Sequence, residues 1–337
     1  MQSVSYLRAA ARTCAALVIT VMWQSAAVAA DTVIHNPDFK AYDMSGLSWL
    51  PPSLTEKGYE KIPVLFMCHM WNPRYGHEPT NCNDVNFSAV NHDVVRQRGR
   101  ETLGLPLVVI DIERTHNPTS EVWHMLSDDP EVTNRAVELW QEMIAVFREE
   151  NPDTEILIYK PIQRIWWPMI QNRQFPLLNR GQDTIDARYA TAERIAPLFA
   201  DKSLLGWPSA YVDRVEPELY REELQWQINI CKELYETRCI FALSPIYLKA
   251  KDENGQPLLV DEDWFYQMIK DLEEDGADGF GVWLPYHYDN DRYIAAVKNW
   301  EERGGATASN QDPRVAWLSA IDRFLTERQG AVEVGAP

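Results

Sequence analysis

Positive charge is scarce in this sequence. Lys and Arg total 32 residues against 50 Asp and Glu, which gives the chain a formal net charge of −18. A surface of this sign repels phosphate backbones and anionic lipid headgroups, and no basic run in the sequence offsets it. The composition therefore argues against a nucleic-acid partner, and we expect no membrane partner for the mature protein.

Several motifs that mark particular classes of enzyme or metal-binding protein are also missing. No G-x-G-x-x-G sequence follows an apolar run, so a dinucleotide-binding fold is not indicated. No Ser or Cys stands in a nucleophile elbow. The acidic stretch Asp271–Asp278 lacks the ligand spacing of an EF-hand calcium loop. The sequence indicates no cofactor.

The first thirty residues have the pattern of a secretory signal. Arg8 and Arg12 precede an apolar segment, Cys14–Met22, that is too short to span a bilayer, and Ala-Val-Ala-Ala at 27–30 resembles a cleavage site. We expect the mature chain to begin at Asp31 with 30 basic and 50 acidic residues. The protein is therefore predicted to be periplasmic or extracellular.

Few cysteines remain once the signal is removed: Cys68, Cys82, Cys231 and Cys239. An even number of cysteines in an exported protein predicts two disulfides, with three possible connectivities. Pairing of neighbours, Cys68 with Cys82 and Cys231 with Cys239, closes the shortest loops. A zinc site is the alternative, but the spacing lacks C-x-x-C and nearby His pairs.

Short continuous apolar runs follow one another from Pro63 onward. Such runs are typical of strands that are buried on both faces of a parallel sheet. We expect one or two further strands near Phe39–Leu50 or within 80–100. The six runs are Val64–Met70, Leu105–Glu113, Glu155–Ile162, Ser203–Tyr211, Cys239–Leu248 and Gly279–Leu284.

Amphipathic helical stretches separate these runs. Asp129-Pro130 is a helix start signal, Asn151-Pro152 a stop signal, and Asp312-Pro313 begins a last helix that should end near Gly330. Other helices are expected at Pro217–Tyr235, Asp261–Glu274 and Asn290–Glu302. We predict a single (β/α)8-type, TIM-like barrel of seven or eight strands with a C-terminal helix, over residues 31–330. The segment 331–337 is predicted as a disordered tail, and a doubly wound open sheet is the alternative fold.

Two acids end the run at 105–113. Because the active site of such a barrel lies at the carboxyl ends of its strands, the sequence Asp111-Ile112-Glu113 stands where catalysis is expected. Strand alternation puts the two residues on one face, about 6.5–7 Å apart along the strand. Burial and mutual repulsion raise the pKa of one of them, which suits a general acid. The alternative is a pair of loop carboxylates that bind Arg114 or cap a turn.

Aromatic residues gather at the other predicted strand ends. The face of a pyranose ring stacks on indole, so this distribution favours a carbohydrate cleft. Tyr211 ends the run at 203–211, and its phenol is expected to point into the barrel mouth. The expected substrate-binding residues are Trp283, Trp207, Tyr159, Tyr286, His69 and Trp71.

The motifs at the strand ends, in their order along the chain, resemble those of the hyaluronidase family of glycoside hydrolases and, more loosely, those of the chitinase-like barrels. The family's Asp-x-Glu pair is similar to Asp111-Ile112-Glu113, its Tyr/Trp-Pro-Ser-x-Tyr strand to residues 207–211, and its Gly-x-x-x-Trp strand to residues 279–283. The resemblance spans about 105–285. The chain differs from the family in its cysteine pattern and in having no obvious basic groove.

The resemblance implies an exported glycoside hydrolase that cleaves an N-acetylhexosamine-containing polysaccharide with retention of configuration. Glu113 would protonate the leaving oxygen, and the substrate's own acetamido oxygen would be the nucleophile. Asp111 would orient that amide and stabilise the oxazolinium charge, and Tyr211 would donate a hydrogen bond to the acetamido carbonyl. The protein is expected to act as a monomer.

Two other functions stay open. The first is a carbohydrate-binding barrel without turnover. The second is a two-carboxylate glycosidase or muramidase, in which an acid on another strand, such as Asp213, would serve as the second carboxylate. The net charge of the mature chain favours neutral or partly cationic amino-sugar polymers over strongly anionic ones.

Overall fold

The computed structural model describes residues 36–45, 49–66, 71–73, 85–111, 129–159, 161–162, 182–210, 217–251, 257–284, 290–305 and 313–335. Within these ranges the chain forms strands and helices in a mixed α/β order. The strands are β1 (Lys40–Asp43), β2 (Tyr59–Lys61), β3 (Val64–Phe66), β4 (Trp71–Pro73), β5 (Val85–Val90), β6 (Leu107–Asp111), β7 (Glu155–Tyr159), β8 (Leu204–Trp207), β9 (Ile240–Leu243), β10 (Ile246–Lys251), β11 (Pro257–Leu259) and β12 (Gly279–Val282).

The helices fall in the gaps between the strands. One of them, α5, continues as a π-helix at Ile230–Leu234, and short 3₁₀ helices lie at Ala196–Ala200 and Pro313–Val315. The α-helices are α1 (Pro52–Thr55), α2 (His92–Glu101), α3 (Pro130–Glu150), α4 (Gln182–Ile195), α5 (Pro217–Asn229), α6 (Glu262–Glu274), α7 (Asn290–Glu302) and α8 (Ala316–Gly335). The last helix thus extends beyond its predicted end at Gly330.

Two four-stranded sheets carry the fold, in the orders β2-β1-β12-β9 and β3-β6-β7-β8, and their strand pairs are parallel. Each of the six predicted runs contains one of these strands, so the expectation of parallel sheets is confirmed. The strand expected near 39–50 is β1. The strand found within 80–100 is β5, which pairs antiparallel with β4 and lies outside the parallel sheets.

The chain itself joins one pair of sheet edges, and backbone hydrogen bonds join the other pair. β2 and β3 are separated only by Ile62 and Pro63; the Ile62 N–H donates to the Asp43 carbonyl at 3.1 Å, and the Val109 N–H donates to the Pro63 carbonyl at 3.0 Å. On the other edge, residues 206–210 bond to 238–242 with N···O distances of 3.0, 2.9 and 2.8 Å. The bridges on this second edge follow the parallel direction of the strands.

Alternation along the strands divides the core in two. One face packs under the helices, with side chains such as Val108, Ile156 and Phe280 fully buried there. The other face forms a separate cluster, which we call the inner cluster. Its buried members are Tyr42, Met44, Ile62, Leu107, Val109, Leu157, Tyr159, Leu205, Trp207, Ile240 and Ala242.

Helix starts follow the side-chain chemistry of the sequence. The Asp129 carboxylate accepts the Glu131 N–H at 2.9 Å, with Pro130 in the first turn, and the Asp261 carboxylate accepts the Trp264 N–H at 2.9 Å. These bonds satisfy N–H groups that have no partner within the helix. The start predicted at Asp129-Pro130 is confirmed.

Arg328 connects α8 to α6 and to the residues just before β1. Its guanidinium pairs with Glu273 of α6 at 3.1 Å and donates to the carbonyls of Phe39, at 2.8 Å, and Asn36. The Glu273 side chain is almost fully buried. Removal of Arg328 would therefore leave a buried carboxylate without this cation.

We expect Arg328→Met to lower the free energy of unfolding by about 3–5 kcal/mol, because it breaks a buried ion pair from one side. Arg323→Met on the same helix is the matched control; Arg323 is exposed and pairs with Asp263 and Glu327 at the surface, so its loss should cost at most about 1 kcal/mol. Urea unfolding of both variants measures the difference. Equal losses would contradict this role for Arg328.

The predicted Cys231–Cys239 disulfide is present. It joins the π-helix after α5 to the residue before β9, and both cysteines are buried. Gly206 of β8 leaves the space that the bridge occupies, since a Cβ there would lie 3.1 Å from the Cys231 Sγ and 3.2 Å from the Cys239 Sγ. Cys68 and Cys82 lie outside the described residues, so their pairing stays a prediction.

Loss of this bridge should destabilise the folded chain. The bond closes a loop with a sequence separation of 8, and loop-closure entropy for this length corresponds to about 2–3 kcal/mol. We expect the Cys231→Ser, Cys239→Ser double variant to unfold at a lower temperature than the oxidised wild type, and added reductant to leave that lower temperature unchanged. If the double variant melted at the same temperature as the oxidised wild type, the bridge would not be stabilising.

Residues 1–35, which include the predicted signal, lie outside the described residues. Among the helices that the structure describes, none is both long and apolar enough to cross a membrane.

Candidate functional site

Three neighbouring strands end together at the carboxyl edge of one sheet. Ile110 of β6 is opposite Ile158 of β7, and Tyr159 of β7 is opposite Trp207 of β8. Continued by one residue, this register places Asp111 beside Tyr159. Asp111, Tyr159 and Trp207 therefore follow one another across the sheet on one face, at the usual interstrand spacing of about 4.8 Å.

Asp111 is the last residue of β6 and is 6% exposed. Alternation puts it on the same face as Leu107 and Val109, which belong to the inner cluster. A carboxylate held among apolar and aromatic side chains interacts strongly with nearby charge, because the local dielectric constant is low. Such a group is suited to stabilising a cation that forms during a reaction.

Tyr159 and Trp207 form a closely packed aromatic pair. Their ring centroids are 4.7 Å apart with an interplanar angle of 52°. Tyr159 is 3% exposed and Trp207 is 0% exposed, so neither ring offers a free face on which a sugar could stack. The Trp207 Nε1 is buried and has no hydrogen-bond partner among the described residues. This pair supports the site from within the inner cluster.

Trp283 follows β12 directly and packs against the inner cluster. Its backbone N–H donates to the Leu243 carbonyl at 2.9 Å, which fixes the chain here against β9. The side chain is half-buried. Among the predicted aromatics whose side chains the structure describes, Trp283 alone keeps substantial exposed area, as a sugar platform requires.

Several predicted site residues lie outside the described residues. They are Glu113, Tyr211, Tyr286 and His69, together with Arg114 and Asp213 from the alternative interpretations. Trp71 begins β4, but the structure describes only its backbone. Their roles stay predictions.

A second buried acid ends β1, and the sequence analysis did not identify it. Asp43 is 0% exposed, and burial raises the pKa of its carboxyl to about 6, while bonds from Ser45 and the charge of Lys61 act in the opposite direction. The sequence signal was weak, since Asp43 closes the short segment Phe39-Lys40-Ala41-Tyr42, in which a charged residue interrupts the apolar ones. Within the described part of the chain, no group of His, Cys, Asp and Glu is arranged to hold a metal ion.

The sequence matches no family model, and a search of curated proteins gives no match. Solved structures do show similarity. Bee venom hyaluronidase in a monoclinic crystal has a TM-score of 0.51 at 14% identity, covering 85% of this chain and 100% of that one. The same bee venom enzyme in complex with a hyaluronic acid tetramer has a TM-score of 0.45 at 11% identity, covering 83% and 99%.

A further match is the carboxyl transferase domain of Rhizobium etli pyruvate carboxylase, with a TM-score of 0.32, 13% identity and coverage of 83% of this chain and 36% of that one. Only the first similarity is strong enough to support an argument, and at its level of identity it concerns the fold alone. The chain is a mixed α/β protein with parallel sheets whose fold is similar to the TIM-barrel fold of bee venom hyaluronidase.

Proposed function

We propose that this protein is a retaining glycoside hydrolase that cleaves N-acetylhexosamine-containing polysaccharides, with the substrate's acetamido group as nucleophile. The observation that carries the proposal is the position of Asp111, a buried carboxyl at the carboxyl end of β6 beside Tyr159 and Trp207. The Asp-x-Glu sequence that begins at Asp111 and the hyaluronidase-like fold agree with it.

We also infer that the two parallel sheets close into one seven-stranded barrel, in which residues 59–66 count as one strand. Closure is supported at one edge by the continuous chain of residues 59–66 and at the other by the hydrogen bonds between residues 206–210 and 238–242. It is also supported by the inner cluster, in which Tyr42 of β1 is grouped with Leu157 and Tyr159 of β7, a strand of the other sheet.

In such a barrel the inner cluster fills the interior, and the carboxyl ends of the strands form the mouth. Glu113 follows Asp111 by two residues and would reach the same mouth, where it would protonate the glycosidic oxygen. Asp111 would accept the acetamido N–H and then stabilise the positively charged oxazolinium ring. Tyr211 would bind the acetamido carbonyl, and Trp283 would hold a sugar face. Tyr286, His69 and Trp71 would line further subsites.

Asp43 is a poor second carboxylate for the alternative two-carboxylate reaction. It lies between Tyr42 and Met44, both of which face the inner cluster, so alternation directs Asp43 to the opposite, helix-covered side of β1. Of Asp43 and Asp111, only Asp111 thus faces the proposed mouth. A second one from Asp213 would favour the two-carboxylate glycosidase.

The proposed protein acts outside the cytoplasm, after removal of residues 1–30, as a monomer that needs no cofactor. Its net charge favours neutral or partly cationic amino-sugar polymers as substrates. The test is incubation of the secreted protein with a panel of such polysaccharides, with identification of the sugar at each new reducing end. Binding of a polymer without any cleavage would support the non-catalytic barrel instead.

A further inference from the structure

The carboxyl end of β1 combines a buried acid with a hydrogen bond to Val282, the residue before Trp283. Asp43 lies on the helix-covered face of β1, together with Ala41. Its Oδ1 accepts the Ser45 N–H at 3.2 Å, which makes a tight turn around Met44. Its Oδ2 is buried and has no hydrogen-bond partner among the described residues.

Tyr59 lies on the neighbouring strand and on the same face. It is opposite Ala41 in the β1–β2 register, is fully buried, and its hydroxyl also has no hydrogen-bond partner in the described part of the chain. Burial and the negative charge of Asp43 both raise the pKa of the Tyr59 phenol well above its usual value. An ionised Asp43 would therefore lie in an apolar layer with its Oδ2 lacking a hydrogen-bond partner, which lowers the stability of the folded chain.

The turn at Asp43–Ser45 contacts β12 through Met44. The Met44 N–H donates to the Val282 carbonyl at 2.9 Å. Since Asp43 is opposite Val282, the next position in the register places Met44 beside Trp283 on the inner face. The Met44 side chain also fills the space above Gly281, where a Cβ would collide with its Sδ and Cε atoms.

We propose that Asp43 is a positioning residue for Trp283: while Asp43 is protonated, the end of β1 stays buried and Met44 stays against the end of β12, whereas ionisation, which favours hydration of the unpartnered Oδ2, loosens this contact. The expected change in substrate binding rests on the proposed function of Trp283 as a sugar platform. The expected change in the stability of the folded chain does not depend on that function.

The direction of the pH effect follows from the raised pKa. The folded chain binds the Asp43 proton up to pH of about 6, whereas the unfolded chain releases it near the ordinary value of 3.8. The stabilising contribution of the protonated form is thus complete below the unfolded value and is lost as the pH rises through about 6. The titratable groups that act on Asp43 within the described residues are Lys61 and Tyr59, both on β2.

The first test compares Asp43→Asn with the wild type at pH 4.5 and pH 8. Asparagine keeps an oxygen that can accept the Ser45 N–H but does not ionise. The quantity of interest is the melting temperature of the variant minus that of the wild type. We expect this difference to be about 4–8 °C larger at pH 8 than at pH 4.5. Asp38→Asn is the matched control, because Asp38 is exposed and carries the same charge. Equal pH dependence in the two variants would overturn the proposal.

The second test locates the effect in the wild-type chain and does not require any variant to fold. Hydrogen exchange of the peptides covering 39–45 and 279–284, corrected for the intrinsic rate, should show less protection at pH 8 than at pH 4.5, while the peptide covering 155–159 should change little. Uniform protection at both pH values would overturn the proposal.

The third test requires an active enzyme. The wild-type KM should rise between pH 5 and pH 7.5, whereas that of Asp43→Asn should stay flat and kcat should follow the same profile in both. A KM profile shared by both proteins would show that the turn does not act on the cleft. If no glycan is cleaved at all, the proposed function fails, and the melting and exchange measurements still decide the role of Asp43.

Discussion

Glu113→Gln should lower the rate of polysaccharide cleavage by roughly 10²–10⁴-fold. Glutamine keeps the size of the side chain but cannot deliver a proton to the leaving oxygen. Binding of the polymer should be preserved, since Trp283 and the residues around it are unchanged. Release of reducing ends measures the rate, and retention on an immobilised polymer measures binding.

Glu131→Gln is the matched control for this variant, because Glu131 is an exposed acid in the first turn of α3. It should cleave like the wild type. If Glu113→Gln also turned over at a near-normal rate, Glu113 would not be the general acid, and another acid would have to be sought at the mouth.

Asp111→Asn should cost about 10²–10³-fold in kcat. The substitution keeps the shape of the side chain at the end of β6 but removes the negative charge that we propose stabilises the oxazolinium ring. Because Asp111 is almost fully buried, little solvent is available to replace that charge. The loss should appear in kcat more than in KM, since the positive charge develops only during the reaction.

Asp153→Asn, at an exposed position just before β7, is the control for removal of one aspartate charge. Chemical removal of the N-acetyl groups from the polymer provides an independent check, because it deletes the nucleophile that Asp111 is expected to orient. A de-N-acetylated polymer that is cut as fast as the original would count against substrate assistance and favour the two-carboxylate reaction.

The parallel strands could be read from the sequence because their signal is local. Continuous apolar runs such as Leu107–Ile110 and Ile156–Ile158 are buried on both faces, and a helix start such as Asp129-Pro130 depends on a few adjacent residues. The Cys231–Cys239 bridge was also predictable, since few cysteines were available to pair and these two are close in sequence.

Side-chain environments were harder to predict, because they depend on which strands become neighbours. Trp207 ends β8, four residues before the predicted end of the run, and Tyr159 on the adjacent strand packs against it, so its ring is buried rather than offered to a ligand. Asp43 was missed for a related reason. Its segment is short and mixed in polarity, and its burial results from β2, β12 and the helices that cover β1.

We propose that Asp111 and Glu113 together cleave an amino-sugar polymer with help from the substrate's acetamido group. Proton NMR of the first product tests this proposal most directly, by following the anomeric signal at the new reducing end before mutarotation. We expect this end to be an N-acetylhexosamine in the configuration of the bond that was cut, formed by the wild type and not by Glu113→Gln. An initial product of inverted configuration would contradict it.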